Sequence, residues 1–239
     1  PNHPADPIHP ENLRDLQARV LAVGADVGLA FDGDADRMFL VDERARPVSS
    51  SITTALVASA ILQAEPGATI IHNLICSRVV AEVIAEQGGR AVRSRVGHSF
   101  VKVAMASEGA AFAGEHSGHY YFRDNFGADS GLIAALLVLE ALSTHDGPLS
   151  ELIAPFDHYA ASGEINFEVD DPGAVLDTVA AFYAGHPQDR LDGLTVDAGD
   201  WWLNLRPSNT EPLLRLNLEA GDPAACAERV TEVRGLLGQ

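Results

Sequence analysis

The stretch EPGATIIHNLICSRVVAEVIAEQGGRAVRSRV, residues 65–96, decides the fold. Pro66-Gly67 is a turn signal, and Ala68–Asn73 after it reads as a buried strand. Val79–Glu86 carries apolar residues at helical spacing and stops at Gly88-Gly89, after which Arg90–Val96 reads as a second strand. Strand, helix and strand joined by short glycine-marked turns are the repeating unit of a parallel-type sheet. The same alternation extends outward. Thr53–Gln63 reads as helix, Phe100–Ser107 as helix, Ala110–Ala113 as strand and Ser130–Ser143 as a strongly apolar helix. Residues 47–156 are therefore read as one α/β domain, ending near Pro148–Pro155.

The flanks read differently. The opening PNHPADPIHP has four prolines in ten residues and cannot be helical. Leu13, Leu16, Val20 and Val23 then recur at helical spacing up to Gly24. Val27–Phe31 and Met38–Val41 form a hairpin around a polar loop. Residues 1–46 are too few to bury a core alone and read as the end of a longer domain, the chain as the tail of a longer protein. Residues 157–239 combine strands at Gly163–Val169, Leu194–Val196, Trp201–Arg206 and Leu213–Leu218 with helices at Pro172–Tyr183 and Asp222–Leu237. That pattern is a small α+β domain with an antiparallel sheet.

Composition narrows the function. Sixteen basic against 34 acidic residues leave a net charge of −18, which repels nucleic-acid backbones; any phosphate must be held in a local pocket. The longest strictly apolar run, Leu132–Leu139, is far below the ~20 residues of a membrane span. Cys76 and Cys226 show no framework spacing, which fits a reducing, cytoplasmic setting.

Three polar clusters stand out. In Asp32-Gly-Asp34-Ala-Asp36-Arg37, three carboxylates at alternate positions point the same way if the loop is extended, and their repulsion calls for a hard cation such as Mg²⁺. An EF-hand is rejected, because its sixth position holds Arg37 where the turn needs Gly. A haloacid-dehalogenase-type phosphatase, with Asp32 as nucleophile, stays open. Gly114-Glu115-His116-Ser117-Gly118-His119 brings a carboxylate, a hydroxyl and two imidazoles between glycines, a set suited to vicinal hydroxyls. Arg206-Pro-Ser208-Asn209-Thr210-Glu-Pro212 puts Arg206, and beyond the turn Arg215, opposite the leucine stripes of two strands: a phosphate cradle, or a hairpin turn with solvated arginines. A weaker fourth element, Arg95-Val-Gly97-His98-Ser99-Phe-Val-Lys102, sets His98 at a strand–helix junction one turn before the only lysine.

In this order, DGDADR, GEHSGH and RPSNTEP resemble the metal, sugar and phosphate loops of the α-D-phosphohexomutase superfamily, within it the phosphomannomutase/phosphoglucomutase type. The resemblance spans essentially the whole chain and includes PNHPADP and RVGHSFVK. It implies a multi-domain α/β architecture: mixed-sheet domains followed by a small α+β C-terminal domain, with residues 1–46 ending domain 2, 47–156 forming domain 3 and 157–239 domain 4. Asp32, Asp34 and Asp36 would bind Mg²⁺, and Arg37 would lie beside the phosphoserine and substrate. Glu115 and Ser117 would grip sugar hydroxyls, His119 would line the pocket, and Gly97 with His98 would touch the ligand. Arg206, Ser208, Asn209, Thr210 and Arg215 would hold the phosphate that does not react. The implied partners are a hexose phosphate, mannose or glucose, and the N-terminal domains with their phosphoserine loop, absent from this sequence. The chain alone is then expected to be inactive; a non-catalytic sugar-phosphate-binding remnant is a further alternative. One departure concerns proton transfer. Some relatives carry lysine where this chain has Ile75, leaving His98, Lys102 or His119 for that task and Arg78 for charge.

Overall fold

The computed structural model describes residues 2–208 and 213–238, which fall into two compact units, 1–157 and 158–239. The first unit begins with a 3-10 turn, Pro10–Leu13, that leads into α1 (Arg14–Val23), closed by Gly24 in the left-handed region at φ 63°. Strands β1 (Val27–Phe31), β2 (Met38–Asp42) and β3 (Pro47–Val48) form an antiparallel sheet in that order. Helix α2 (Ser50–Ala64) follows, then β4 (Thr69–Asn73), α3 (Arg78–Glu86), β5 (Arg90–Ser94), α4 (His98–Glu108) and β6 (Phe112–Gly114). Strands β7 (Tyr120–Phe122) and β8 (Ala128–Asp129) precede α5 (Gly131–Ser143) and α6 (Leu149–Ile153).

The main sheet runs β5-β4-β6-β7-β8. Its β5, β4 and β6 are parallel, as the strand–helix–strand reading requires, and β7 and β8 add an antiparallel edge. The sheet is thus mixed. The two antiparallel strands escape a sequence reading because three and two residues are too short to show alternation. One buried cluster of the core joins Ile71 on β4, Val101 and Met105 on α4, and Ala113 and Tyr121 on β6 and β7. Each fully buried large apolar side chain contributes about 1.5–3 kcal/mol.

Helix α2 starts three residues before the position expected. Ser50 through Ser59 are all buried, so the helix has no polar face to reveal its phase. Its early hydroxyls turn back on the helix itself: Thr54 Oγ1 donates to the Ser50 carbonyl at 2.8 Å and Thr53 Oγ1 to that of Ser49 at 3.3 Å.

The second unit holds β9 (Ala160–Glu168), α7 (Pro172–Phe182), β10 (Gln188–Asp189), β11 (Leu194–Asp197), β12 (Trp201–Pro207), β13 (Leu213–Ala220) and α8 (Pro223–Leu236). Its sheet is antiparallel throughout, in the order β10-β11-β12-β13-β9. Asp171 and Asp222 cap the two helices, each followed by proline at the first helical position. Leu203, Leu205, Leu214, Leu216 and Leu218 form the buried stripe against Leu176 and Val179 of α7 and Cys226 and Val233 of α8.

Candidate functional site

Parallel strands bring their carboxyl ends to one edge of a sheet, where open α/β folds bind ligands. Here β4 ends at Asn73, β5 leads through Gly97 into α4, and β6 ends at Gly114 just before Glu115. Gly97 sits at φ 124°, which favours glycine, and caps α4 through its carbonyl, which accepts from Phe100 and Val101. His98 is therefore the first residue of α4, and it is exposed.

The acidic loop closes β1 onto β2 and is a turn rather than an extended run. Ala35 adopts φ 61°, its N–H reaches the Asp32 carbonyl at 3.3 Å, and the three carboxylates still converge. Ligand oxygens of Asp32, Asp34 and Asp36 lie within 4.8 Å of one another. Asp32 accepts twice from Arg37, from the backbone N–H at 3.1 Å and from Nε at 2.8 Å. Burial works against the Asp32 charge, but these bonds hold its pKa below the usual carboxylate value. Asp36 moves the opposite way, raised by burial and by the adjoining Asp32 carboxylate. Its Oδ1 is shielded from solvent and meets no hydrogen-bond partner among the described residues. An all-oxygen set with one such orphaned atom fits a hard divalent cation.

The GEHSGH loop is bonded directly to the acidic loop. Met38 N–H donates to the Gly118 carbonyl at 3.1 Å, and Arg37 pairs with His119 in an antiparallel bridge. Gly118, at φ 86°, lies so close to Phe39 that a Cβ would stand 2.6 Å from its ring. His119 Nδ1 and Ser117 Oγ are 2.9 Å apart, and His119 Nε2 lies 3.6 Å from Asp36 Oδ2. Glu115 is only 2% exposed; it accepts from Tyr121 Oη at 2.6 Å and from Asn73 Nδ2 at 3.4 Å. Burial and the Glu115 charge push the Tyr121 hydroxyl well above its ordinary pKa, so it remains a donor.

Two further residues reach this cluster. Asp129 lies with Asp36 and His119 within 4.8 Å, and Lys102 Nζ contacts Asp129 Oδ1 at 3.0 Å. Sequence reading missed Asp129 and Asn73. The one signal available for Asn73 is that a polar pair, His72-Asn73, ends a buried strand after Ile70 and Ile71. Ile75, just beyond β4, is buried and apolar. The start of the chain also arrives here: Asp6 Oδ1 lies 3.2 Å from Arg37 Nη1.

In the second unit Arg206 on β12 stands directly opposite Arg215 on β13. Like charges so placed repel, and Glu164 lies between them in charge, 2.9 Å from Arg206 Nη2 and 3.2 Å from Arg215 Nη1. Arg215 Nη2 donates to Ser208 Oγ at 3.2 Å. Arg206 is buried, 7% exposed, and burial pulls its pKa down despite Glu164. Arg206 is thus not solvated, whereas the Arg215 side chain keeps 26% of its surface exposed. Asn209 and Thr210 lie outside the described residues.

An acidic loop bonded to a polar loop at a sheet edge, together with an arginine pair opposed across two strands of an α+β unit, marks a particular class of multi-domain α/β protein. Residues 1–45, 49–159 and 164–236 match, in turn, alpha/beta/alpha domain II, alpha/beta/alpha domain III and the C-terminal domain of phosphoglucomutase/phosphomannomutase; the chain belongs to that family. It is 41% identical over 239 residues to a phosphomannomutase of Methanocaldococcus jannaschii, covering 100% of this chain and 53% of that protein. A phosphomannomutase of Salmonella montevideo is 42% identical, over 99% of this chain and 53% of its own length. A crystal structure of a phosphoglucomutase/phosphomannomutase family protein from Burkholderia thailandensis superposes with a TM-score of 0.90 at 35% identity, covering 99% of this chain and 52% of that one. The chain thus spans about half the length of the curated relatives it matches.

Proposed function

We propose that the full-length protein is a phosphohexomutase that interconverts hexose 6-phosphate and hexose 1-phosphate, with mannose favoured over glucose. A phosphoserine outside this chain gives its phosphoryl group to a free hydroxyl of the sugar phosphate. The bisphosphate so formed turns over and returns its other phosphoryl group to the serine. The side chains of this chain serve by positioning, electrostatics and proton transfer.

The observation that carries the reading is the bonded junction of the two loops, through Met38 and Gly118, Arg37 and His119, and His119 and Asp36. It sets the acidic loop, a candidate cation site, against the GEHSGH loop, a candidate site for sugar hydroxyls. Asp32, Asp34 and Asp36 would hold Mg²⁺, which when bound neutralises charge on the moving phosphoryl group. Arg37 has Nη2 protons without a protein acceptor among the described residues, and offers them to the same phosphoryl oxygens. Glu115, with lone pairs left beyond its two bonds, and Ser117 take sugar hydroxyls. His119 and His98 are the candidates for proton transfer, with Gly97 letting backbone approach the ligand. In the second unit, Arg206, Ser208 and Arg215, with Asn209 and Thr210, hold a phosphate. A membrane plays no part in this reading, and among the described residues no helix is long and apolar enough to cross one.

The phosphatase alternative needs Asp32 as a free nucleophile. Its side chain is 6% exposed and both its oxygens accept from Arg37, which favours a ligand role. The test is a coupled assay of the full-length protein with mannose 1-phosphate and a catalytic bisphosphate. Formation of mannose 6-phosphate without net phosphate release is expected. Release of inorganic phosphate by residues 1–239 alone would establish the phosphatase instead.

A further inference from the structure

The proline-rich opening has no part in the roles assigned so far, yet it reaches Arg37. Asp6 Oδ1 lies 3.2 Å from Arg37 Nη1, in a bond between residues 31 positions apart. The segment that carries Asp6 is pinned. Asn12 Nδ2 donates to the Asp6 carbonyl at 2.8 Å, the His9 N–H reaches the same carbonyl at 3.4 Å, Pro7 is buried, and Leu13 sits in the core with Val20 and Val41. Prolines at 4, 7 and 10 limit the backbone between these anchors. Asn2 Nδ2 adds a tie to Asp15 of α1 at 2.9 Å.

The guanidinium is a planar fork with five N–H donors. Asp32 takes Nε and Asp6 takes Nη1, so two carboxylates from separate segments fix both the plane and its rotation. One anchor alone would leave the guanidinium plane able to pivot about that single contact as the side-chain torsions change. A carboxylate beside an anion-binding arginine also weakens its attraction for phosphate. That charge is explained if its return is geometric.

We propose that Asp6 is a positioning residue for Arg37, a second clamp that aims the free Nη2 edge at a phosphoryl group. The proposal rests on the mutase reading for its kinetic consequence and on the structure alone for the clamp. Asp32 is also a candidate cation ligand, so Asp6 is the anchor whose hold on Arg37 is independent of the metal.

The test uses full-length protein carrying Asp6→Ala or Asp6→Asn. For Asp6→Ala, kcat falls by about ten- to a hundredfold while KM for the hexose phosphate stays unchanged or drops, as expected when an aligned group loses its orientation. Asp6→Asn keeps an oxygen acceptor and recovers a large part of the loss. In parallel, ¹⁵N NMR of the Arg37 side chain, assigned with Arg37→Lys, follows rotation of its Nη groups. Rotation is slow in the wild type, fast in Asp6→Ala and intermediate in Asp6→Asn. Unchanged rotation in both variants overturns the clamp, and unchanged kcat in Asp6→Ala overturns its catalytic value. If the wild type shows no mutase turnover, the functional reading falls while the NMR comparison still decides whether Asp6 holds Arg37. Should Asp6→Ala not fold, the isosteric Asp6→Asn carries both readouts.

Discussion

His72 shows how much a single buried side chain can decide. It sits on β4 with its Nδ1 3.1 Å from the Asn73 carbonyl, and its Nε2 is sealed from solvent with no hydrogen-bond partner among the described residues. Burial, with the Arg93 charge adding to it, lowers its pKa to about 4. The unfolded chain takes up this proton below about pH 6.5, the folded chain only near pH 4. The neutral imidazole is therefore fully compatible with folding above pH 6.5, and stability is lost as pH falls from there toward 4, by up to about 3 kcal/mol. Urea unfolding at pH 7 and 4.5 checks this: His72→Gln should show a smaller drop than the wild type. Arg206 gives a second prediction. Arg206→Ala should raise KM for the hexose phosphate at least tenfold by removing a buried charge-assisted contact, read in steady-state kinetics of the full-length protein. At this scale the acidic loop was legible from charge crowding alone, and the three glycine-bounded or arginine-bounded motifs from their composition. Asp6, Asn73 and Asp129 were not, because each reaches the site from a distant segment and only the fold brings it there.

Among the elements, α5 does more than fill the core. Its first residue, Gly131, donates its N–H to the Ala35 carbonyl at 3.0 Å, and a Cβ there would stand 2.8 Å from the Arg37 carbonyl oxygen. Both neighbours are backbone of the acidic loop and have no rotamer to yield. Gly131→Ala should destabilise the protein by about 1–3 kcal/mol and weaken Mg²⁺ binding with it. Leu132→Ala, on an exposed neighbour in the same helix, should do neither. Thermal unfolding with and without Mg²⁺ separates the two variants. The helix itself was evident from its apolar run, but its docking on the loop was not, since a glycine at a helix start carries no sign of what it touches. The same limit explains β7 and β8. Hydrogen bonding of β7 to β6 and of β8 to β7, and not periodicity, makes them strands.

For the molecule as a whole, the two units carry separate cores, and the second has a complete antiparallel sheet with two capped helices against one face. Residues 158–239 expressed alone should unfold cooperatively, with a near-ultraviolet circular-dichroism signal from Trp201 and Trp202; a broad, non-cooperative melt would contradict this. The change from α/β alternation to an α+β pattern was readable because the spacing of apolar residues itself changes. The central claim concerns the cation. Isothermal titration calorimetry of the full-length protein with Mg²⁺ tests it most directly. Binding at one site per chain, lost in both Asp34→Asn and Asp36→Asn with the fold intact, is the predicted result. Undiminished Mg²⁺ binding in the two variants would contradict it.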